Sequence, residues 1–244
     1  MRNIKLVLEY DGTAYAGWQR QKNAPTIQEA VEKSIFSITG EELSVTGCSR
    51  TDAGVHAKEF VCNFHTNSSI EASRFREALN AKLPEDIRIH KAVEVDESFH
   101  SRYDSKGKTY CYTILNQEVN SAIYRNFVCH VRYPLNINDM SSAARFFLGT
   151  HDFQAFRKLG SSVKTTTRTI SQLELLKEGN IIRIYGTADG FLYNMMRIIA
   201  GTLIEIGLGR MKPEDIPLIL EGNTGVKPGK VAPAQGLCLE KVYY

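Results

Sequence analysis

The 244-residue sequence has little of what marks the more specialised protein classes. Its five cysteines, Cys48, Cys62, Cys111, Cys129 and Cys238, are odd in number and widely spaced, with no two-residue-gap pair. That argues against a disulfide framework or a zinc ribbon and fits a reducing compartment, so a cytoplasmic setting is expected. His56 and His65 lack a third ligand at a recognisable spacing, so no metal site is expected. The most apolar stretch, residues 191–208, carries Asn194, Arg197 and Glu205, which argues against a membrane span. Met1 leads straight into an alternating pattern, without the charged leader and apolar core of a signal peptide. Neither sign of charge dominates: 30 Lys and Arg stand against 27 Asp and Glu, a net +3 too small to indicate a polyanionic partner by itself. What is there is an ordinary globular mixture, 43% apolar and 23% charged, at a length that suits one large or two small packed units.

Ile4, Leu6, Leu8 and Tyr10 alternate with mostly polar neighbours, the period of a half-buried strand, and Asp11-Gly12 ends it. Thr26 and Glu29 form a capping box, after which Ile27, Ala30, Val31, Ile35 and Ile38 recur at helical spacing as far as Gly40. Short strands over 43–46 and 60–64 flank a glycine-containing loop, a helix follows from Phe75 to before Pro84, and 87–95 supplies a closing strand. This β-α-β-β-α-β order is ferredoxin-like, with two helices over one face of an antiparallel sheet. The second half repeats it more elaborately. Strands are expected over 108–115 and 127–133, a helix over 139–148 behind an Asn138 cap, and a hairpin of 167–176 with 181–188 across Glu178-Gly179-Asn180. Helices over 192–206 and 213–220 and a strand over 237–243 complete it. The expected fold class is α+β: two fused ferredoxin-like, RRM-like halves, 1–105 and 106–244, whose antiparallel sheets meet at a central cleft. The polar run 160–167 has no period and is a candidate functional loop.

Chemistry is densest in Gly47-Cys48-Ser49-Arg50-Thr51-Asp52-Ala53-Gly54-Val55-His56-Ala57. Glycines let backbone approach a ligand while a rigid sheet aims the neighbouring side chains. On pattern alone two readings stand, a catalytic loop or a tight turn with Asp52 as a local cap. Arg197 on pattern is a snorkelling helix arginine. Tyr110, sharing a strand face with Tyr112 and Ile114, is ordinary core or sheet surface. Trp18 fits a core site or an RNA platform equally. Arg20, Lys22, Arg157, Lys158, Lys164 and Arg168 lie in or near expected loops, where solvation is the commoner fate of a basic side chain.

The loop resembles the active-site loop of the TruA family of tRNA pseudouridine synthases, in which the Asp of an Arg-Thr-Asp-Ala-Gly-Val-His run is the nucleophile, a place Asp52 occupies. Further matches run the length of the chain: Tyr10-Asp11-Gly12-Thr13 with Gly17-Trp18-Gln19-Arg20-Gln21, Gly107-Lys108-Thr109-Tyr110, His151-Asp152-Phe153 with Ala155-Phe156, Phe191 to Arg197, and Ala232-Pro233 with Gly236-Leu237. One departure is Ser49, where the family often has glycine; a modest backbone adjustment is expected there.

The resemblance implies a cofactor-independent isomerase acting on uridines 38–40 of the tRNA anticodon arm, working as a homodimer. Asp52, Tyr110 and Arg197 are then the catalytic candidates. A covalent step through a carboxylate divides one difficult exchange into two easier ones, and an arginine opposite a carboxylate favours its charged form. Tyr110 resembles the tyrosine that stacks on the target uracil and helps remove the C5 proton. Arg50 is the candidate for the space left by an extruded base. Gln19, Arg20, His56 and Arg157, with Arg50 and Tyr110, are the candidate substrate-binding residues. Three alternatives stay open: a pseudouridine synthase with another RNA target, a non-catalytic RNA-binding module, and a hydrolase using Asp52 and His56 as an acid-base pair.

Overall fold

The computed structural model describes residues 1–158, 160, 165–222 and 225–244, which fall into two compact units. The first begins with β1 (Arg2–Tyr10), whose inward residues Ile4, Leu6 and Leu8 are fully buried, as alternation demands. Helix α1 (Ile27–Thr39) starts at Thr26, whose hydroxyl accepts from the Glu29 backbone N–H, and ends at Gly40 in the left-handed conformation, φ 74°. Only half of the expected capping box forms, because the Glu29 carboxylate pairs with Lys33 at 2.8 Å. The strand expected over 43–46 shrinks to β2 (Thr46–Gly47). Its ladder is pre-empted by side chains: Glu32 accepts the Val45 N–H at 3.0 Å and Gln28 donates to the Val45 carbonyl at 3.1 Å.

Strand β3 (His56–Thr66), helix α2 (Phe75–Asn80, behind a 3₁₀ turn at Ala72–Arg74) and β4 (Ile87–Val95) complete this run. The strands lie in the order β4-β1-β3, all antiparallel, with β2 beside the far end of β3. That is the ferredoxin arrangement.

The second unit, Gly107–Leu237, is built on β5 (Gly107–Asn116). A short β6 (Cys129–Val131) runs parallel to it, and α3 (Ile137–Arg145) follows. The cap of α3 is Asn136 rather than the expected Asn138: the Asn136 side chain accepts from the backbone N–H groups of Asn138 and Asp139 at 3.1 and 3.3 Å. The helix begins at Ile137, so Asn136 is the flanking residue whose side chain can reach the free N–H groups of the first turn, while Asn138 already lies inside it. Strand β7 (Gly149–Asp152), too short to show a period, pairs with β8 (Thr167–Glu178). The β8–β9 (Ile181–Ala188) hairpin turns at Gly179, φ 58°.

Helix α4 (Met195–Gly207) is apolar nearly all round and almost wholly buried, and a short α5 (Asp215–Leu220) follows. Among the described residues no helix is long and apolar enough to cross a membrane.

The last strand, β10 (Leu237–Tyr243), was expected to close the second half, 106–244. Instead residues Cys238–Tyr244 group with Met1–Lys106. The reason is specific: Cys238 and Leu239 pair in parallel with His56 and Ala57 of β3, and the Lys106 N–H donates to the Tyr243 carbonyl at 2.9 Å. Lys58 binds Glu240 at 2.9 Å, and the Tyr244 hydroxyl donates to the Ser101 carbonyl at 2.7 Å.

The cap assignment is testable by urea unfolding. Asn136→Ala should cost about 1 kcal/mol and Asn138→Ala less than about 0.5 kcal/mol; the reverse order would place the cap at Asn138.

Candidate active site

Asp52 opens a four-residue turn in which the Val55 N–H donates to the Asp52 carbonyl at 3.1 Å. Gly54 supplies the positive φ, 77°, that the third position of such a turn requires. The Asp52 side chain is half-buried. Behind it lies the segment joining β1 to α1, packed so closely that side chains are excluded. A β-carbon on Gly17, φ 96°, would stand 2.3 Å from the Thr51 carbonyl oxygen, and one on Gly12 would stand 2.1 Å from that of Val55. Hydrogen bonds follow the same seam: Trp18 N–H to the Thr51 carbonyl at 3.1 Å, Gly54 N–H to that of Tyr15 at 3.4 Å. The buried hydroxyls of Tyr10 and Thr51 share a bond of 2.9 Å. Tyr15 in turn donates to Asp86 at 2.6 Å, and burial first, then that carboxylate, pushes its phenol far above the usual range.

His56, an expected substrate contact, is 5% exposed and sits under the loop. Its Nδ1 is 3.1 Å from both the Gly12 N–H and an Asp11 carboxylate oxygen. The two contacts require different ring states, since Nδ1 accepts from Gly12 when unprotonated and donates to Asp11 when protonated. Either way the imidazole ties the start of β3 to the end of β1. Trp18 is core: 2% exposed, stacked on Phe60 at 4.1 Å.

Arg50 is exposed beside the turn, as are Gln19 and Arg20 farther along the supporting segment. Those two are held by a polar network on α1. Gln28 accepts from the Gln19 side chain at 2.9 Å and from the Arg20 backbone N–H at 3.0 Å, while Glu32 lies 3.2 Å from the Arg20 guanidinium. Gln28 and Glu32 are buried, and their spacing of four residues places both beside the apolar stripe of Ile27, Val31 and Ile35. These supporting residues were not singled out from the sequence. The available signal was two polar residues four apart on a core-facing stripe.

In the second unit, Tyr110 is buried on β5 opposite Gly186, its ring edge-on to Phe191 at 5.0 Å. Arg197 lies in the first turn of α4, which begins at Asn194 in the left-handed conformation, φ 63°. Its Nε donates to the Ala232 carbonyl and its Nη1 to the Asn194 side chain, both at 2.8 Å. The Ala232 N–H donates back to the Arg197 carbonyl at 3.1 Å. The neighbouring Pro233 carbonyl accepts from Tyr112 at 2.8 Å. Arg197 is therefore a fixed guanidinium rather than a snorkelling one. Arg157 is half-buried, and its Nε has no hydrogen-bond partner. Lys158 is exposed, and Arg168 donates to the Thr165 and Thr167 carbonyls. Lys164 lies outside the described residues, as does half of the run 160–167.

Comparison with known proteins gives three findings. A family model described as tRNA pseudouridine synthase matches residues 6–104 and 143–244. A tRNA pseudouridine synthase A 2 of Clostridium perfringens is 53% identical over 244 residues, covering 100% of both chains. The tRNA pseudouridine synthase A proteins of Clostridium acetobutylicum and Clostridium kluyveri are 52% and 54% identical with the same full coverage. Among solved structures, a chain of a Cbf5-Nop10-Gar1 complex matches with TM-score 0.39 and 16% identity over 97% of this chain and 48% of that one, a likeness too loose to argue from.

Gly17→Ala should lose about 1–3 kcal/mol of stability from the backbone conformation alone. The crowding against Thr51 adds to that, so thermal and urea unfolding should both show a loss larger than for Gly40→Ala, whose β-carbon meets nothing within 4 Å.

Proposed function

The chain belongs to the tRNA pseudouridine synthase family, and we propose that it isomerises uridine to pseudouridine in tRNA, at positions 38–40 of the anticodon arm. The observation that carries this reading is similarity to a synthase across the whole of both chains, at more than half identity. The reaction breaks the bond from ribose C1′ to uracil N1 and joins C1′ to C5. The C5 proton leaves and N1 gains one, so substrate and product contain the same atoms. No electron carrier or metal enters this balance.

Asp52 is assigned the nucleophile. A carboxylate at the head of a turn fixed from behind by backbone contacts is pre-positioned, which lowers the entropic cost of a covalent step. Tyr110 is assigned to the uracil, by stacking and by helping to remove the C5 proton; its edge-on contact with Phe191 holds the ring. Arg197 is assigned the counter-charge, its orientation set by Asn194 and Ala232. Arg50, exposed beside the turn, takes the space of the everted base. Gln19, Arg20 and Arg157 contact the RNA backbone, and His56 acts through the loop it braces. A homodimer in the cytoplasm completes the reading, the former on family resemblance and the latter on cysteine usage.

Unmodified tRNA incubated with the wild-type protein and chelator should acquire pseudouridine at 38–40 with no change in mass. Asp52→Asn should lower the rate on the order of 10³-fold or more while still binding tRNA. Modification by that variant at the wild-type rate, or hydrolysed product from the wild type, would exclude the proposal. Tyr110→Phe keeps the ring and should slow turnover more than it weakens binding. A binding loss as large as that of Tyr110→Ala would remove the stacking role.

A further inference from the structure

At the end of the first unit, residues 99–106 carry an arrangement that none of the assigned roles uses. Tyr103 is 75% exposed, among the most exposed large side chains of the described residues. It is nevertheless ordered on one face: its ring stacks on His100 at 4.1 Å with an interplanar angle of 29°. His100 is itself locked. Its Nδ1 accepts from the backbone N–H groups of Arg102 and Tyr103 at 3.2 and 3.3 Å, and its own N–H donates to the Asp104 carboxylate at 2.8 Å. The Asp104 N–H returns to the His100 carbonyl at 3.0 Å. One face of the tyrosine is therefore fixed and the bulk of its surface faces water.

The Arg102 guanidinium lies 5.9 Å from the Tyr103 ring, and Lys106 is exposed three residues on. Lys106 is joined through its backbone to Tyr243 of β10, itself 40% exposed, with the Lys241 ammonium 5.7 Å from the Tyr243 ring. Of the nearby carboxylates, Glu240 is paired with Lys58 at 2.9 Å, and Asp104 accepts the His100 backbone N–H at 2.8 Å. Exposed aromatic faces interleaved with exposed cations suit a base with its phosphate: the ring stacks on the base and the cations meet the backbone. An exposed aromatic in an apolar protein contact would instead be expected among apolar neighbours.

We propose that Tyr103, stacked on His100 and beside Arg102, with Lys106 three residues on, is a platform for an unpaired nucleobase of the RNA substrate. It is a binding site separate from the residues assigned to chemistry, and it rests on the reading of this chain as a tRNA-modifying enzyme. The platform contributes to holding the RNA and takes no part in bond making, so its loss acts on KM and on Kd.

Pseudouridine formation and tRNA binding by the full chain test this. Tyr103→Ala should raise KM and Kd for tRNA roughly 5- to 100-fold with kcat retained, and Tyr103→Phe, which keeps the ring, should recover most of the affinity. Lys106→Ala should reduce the slope of log Kd against log salt by about one. Tyr124→Ala, another exposed aromatic, 59% exposed, serves as the control and should leave both constants unchanged. Wild-type KM and Kd in Tyr103→Ala would overturn the platform, as would a change in molecular mass in solution in place of a change in RNA affinity. Absence of pseudouridine with the wild type would instead strike the functional reading, and is thereby distinguished from failure of the platform.

Discussion

The α-carbon of Gly17 and the carbonyl of Thr51 approach so closely that a β-carbon at residue 17 would lie 2.3 Å from the oxygen, and Gly12 repeats this against Val55. Backbone against backbone is a stiffer contact than side chain against side chain, because neither partner has a rotamer to change. The turn that presents Asp52 takes its position from this seam. Tyr10, Tyr15 and His56 then fix the seam to β1, β4 and β3, so that a carboxylate on a loop inherits the rigidity of a sheet.

A similar device serves Arg197 in the second unit. A β-carbon on Gly201 would lie 1.8 Å from the Lys230 carbonyl oxygen, and one on Gly229 would lie 2.7 Å from Thr202. The segment that follows is thus pressed onto α4, which brings the Ala232 carbonyl to the guanidinium. A charged side chain held by a main-chain oxygen keeps its direction. In both units small residues set the distance and a polar contact sets the aim.

Much of this was legible in the sequence, for identifiable reasons. Strict alternation marked β1, and the Thr26 and Gly40 punctuation bounded α1; both are local signals and both held. The β8–β9 hairpin was marked by Gly179. Where long-range contacts overrule local ones, legibility ended. Val45 has strand character, but the buried Gln28 and Glu32 take its hydrogen bonds, and β7 is too short to carry a period. The Asp52 loop stood out by its composition. That Gly12, Gly17 and His56 brace it from behind did not, since nothing local says that residues 12 and 55 touch. Trp18, open between core and surface on pattern alone, is settled by its stacking on Phe60.

Strand β10 leaves the second unit and pairs with the start of β3, so the first unit is discontinuous in the chain. On the ribosome, residues 1–106 emerge with one stretch of β3 still lacking its neighbour. That neighbour follows only after residues 107–237 have been made, a delay on the order of ten seconds at ordinary elongation rates. During this interval the strand edge next to the Asp52 turn is bare, and nascent chains on one messenger carry it side by side. Rapid closure of the second unit, which delivers β10, thus shortens the period in which neighbouring nascent chains can zip together.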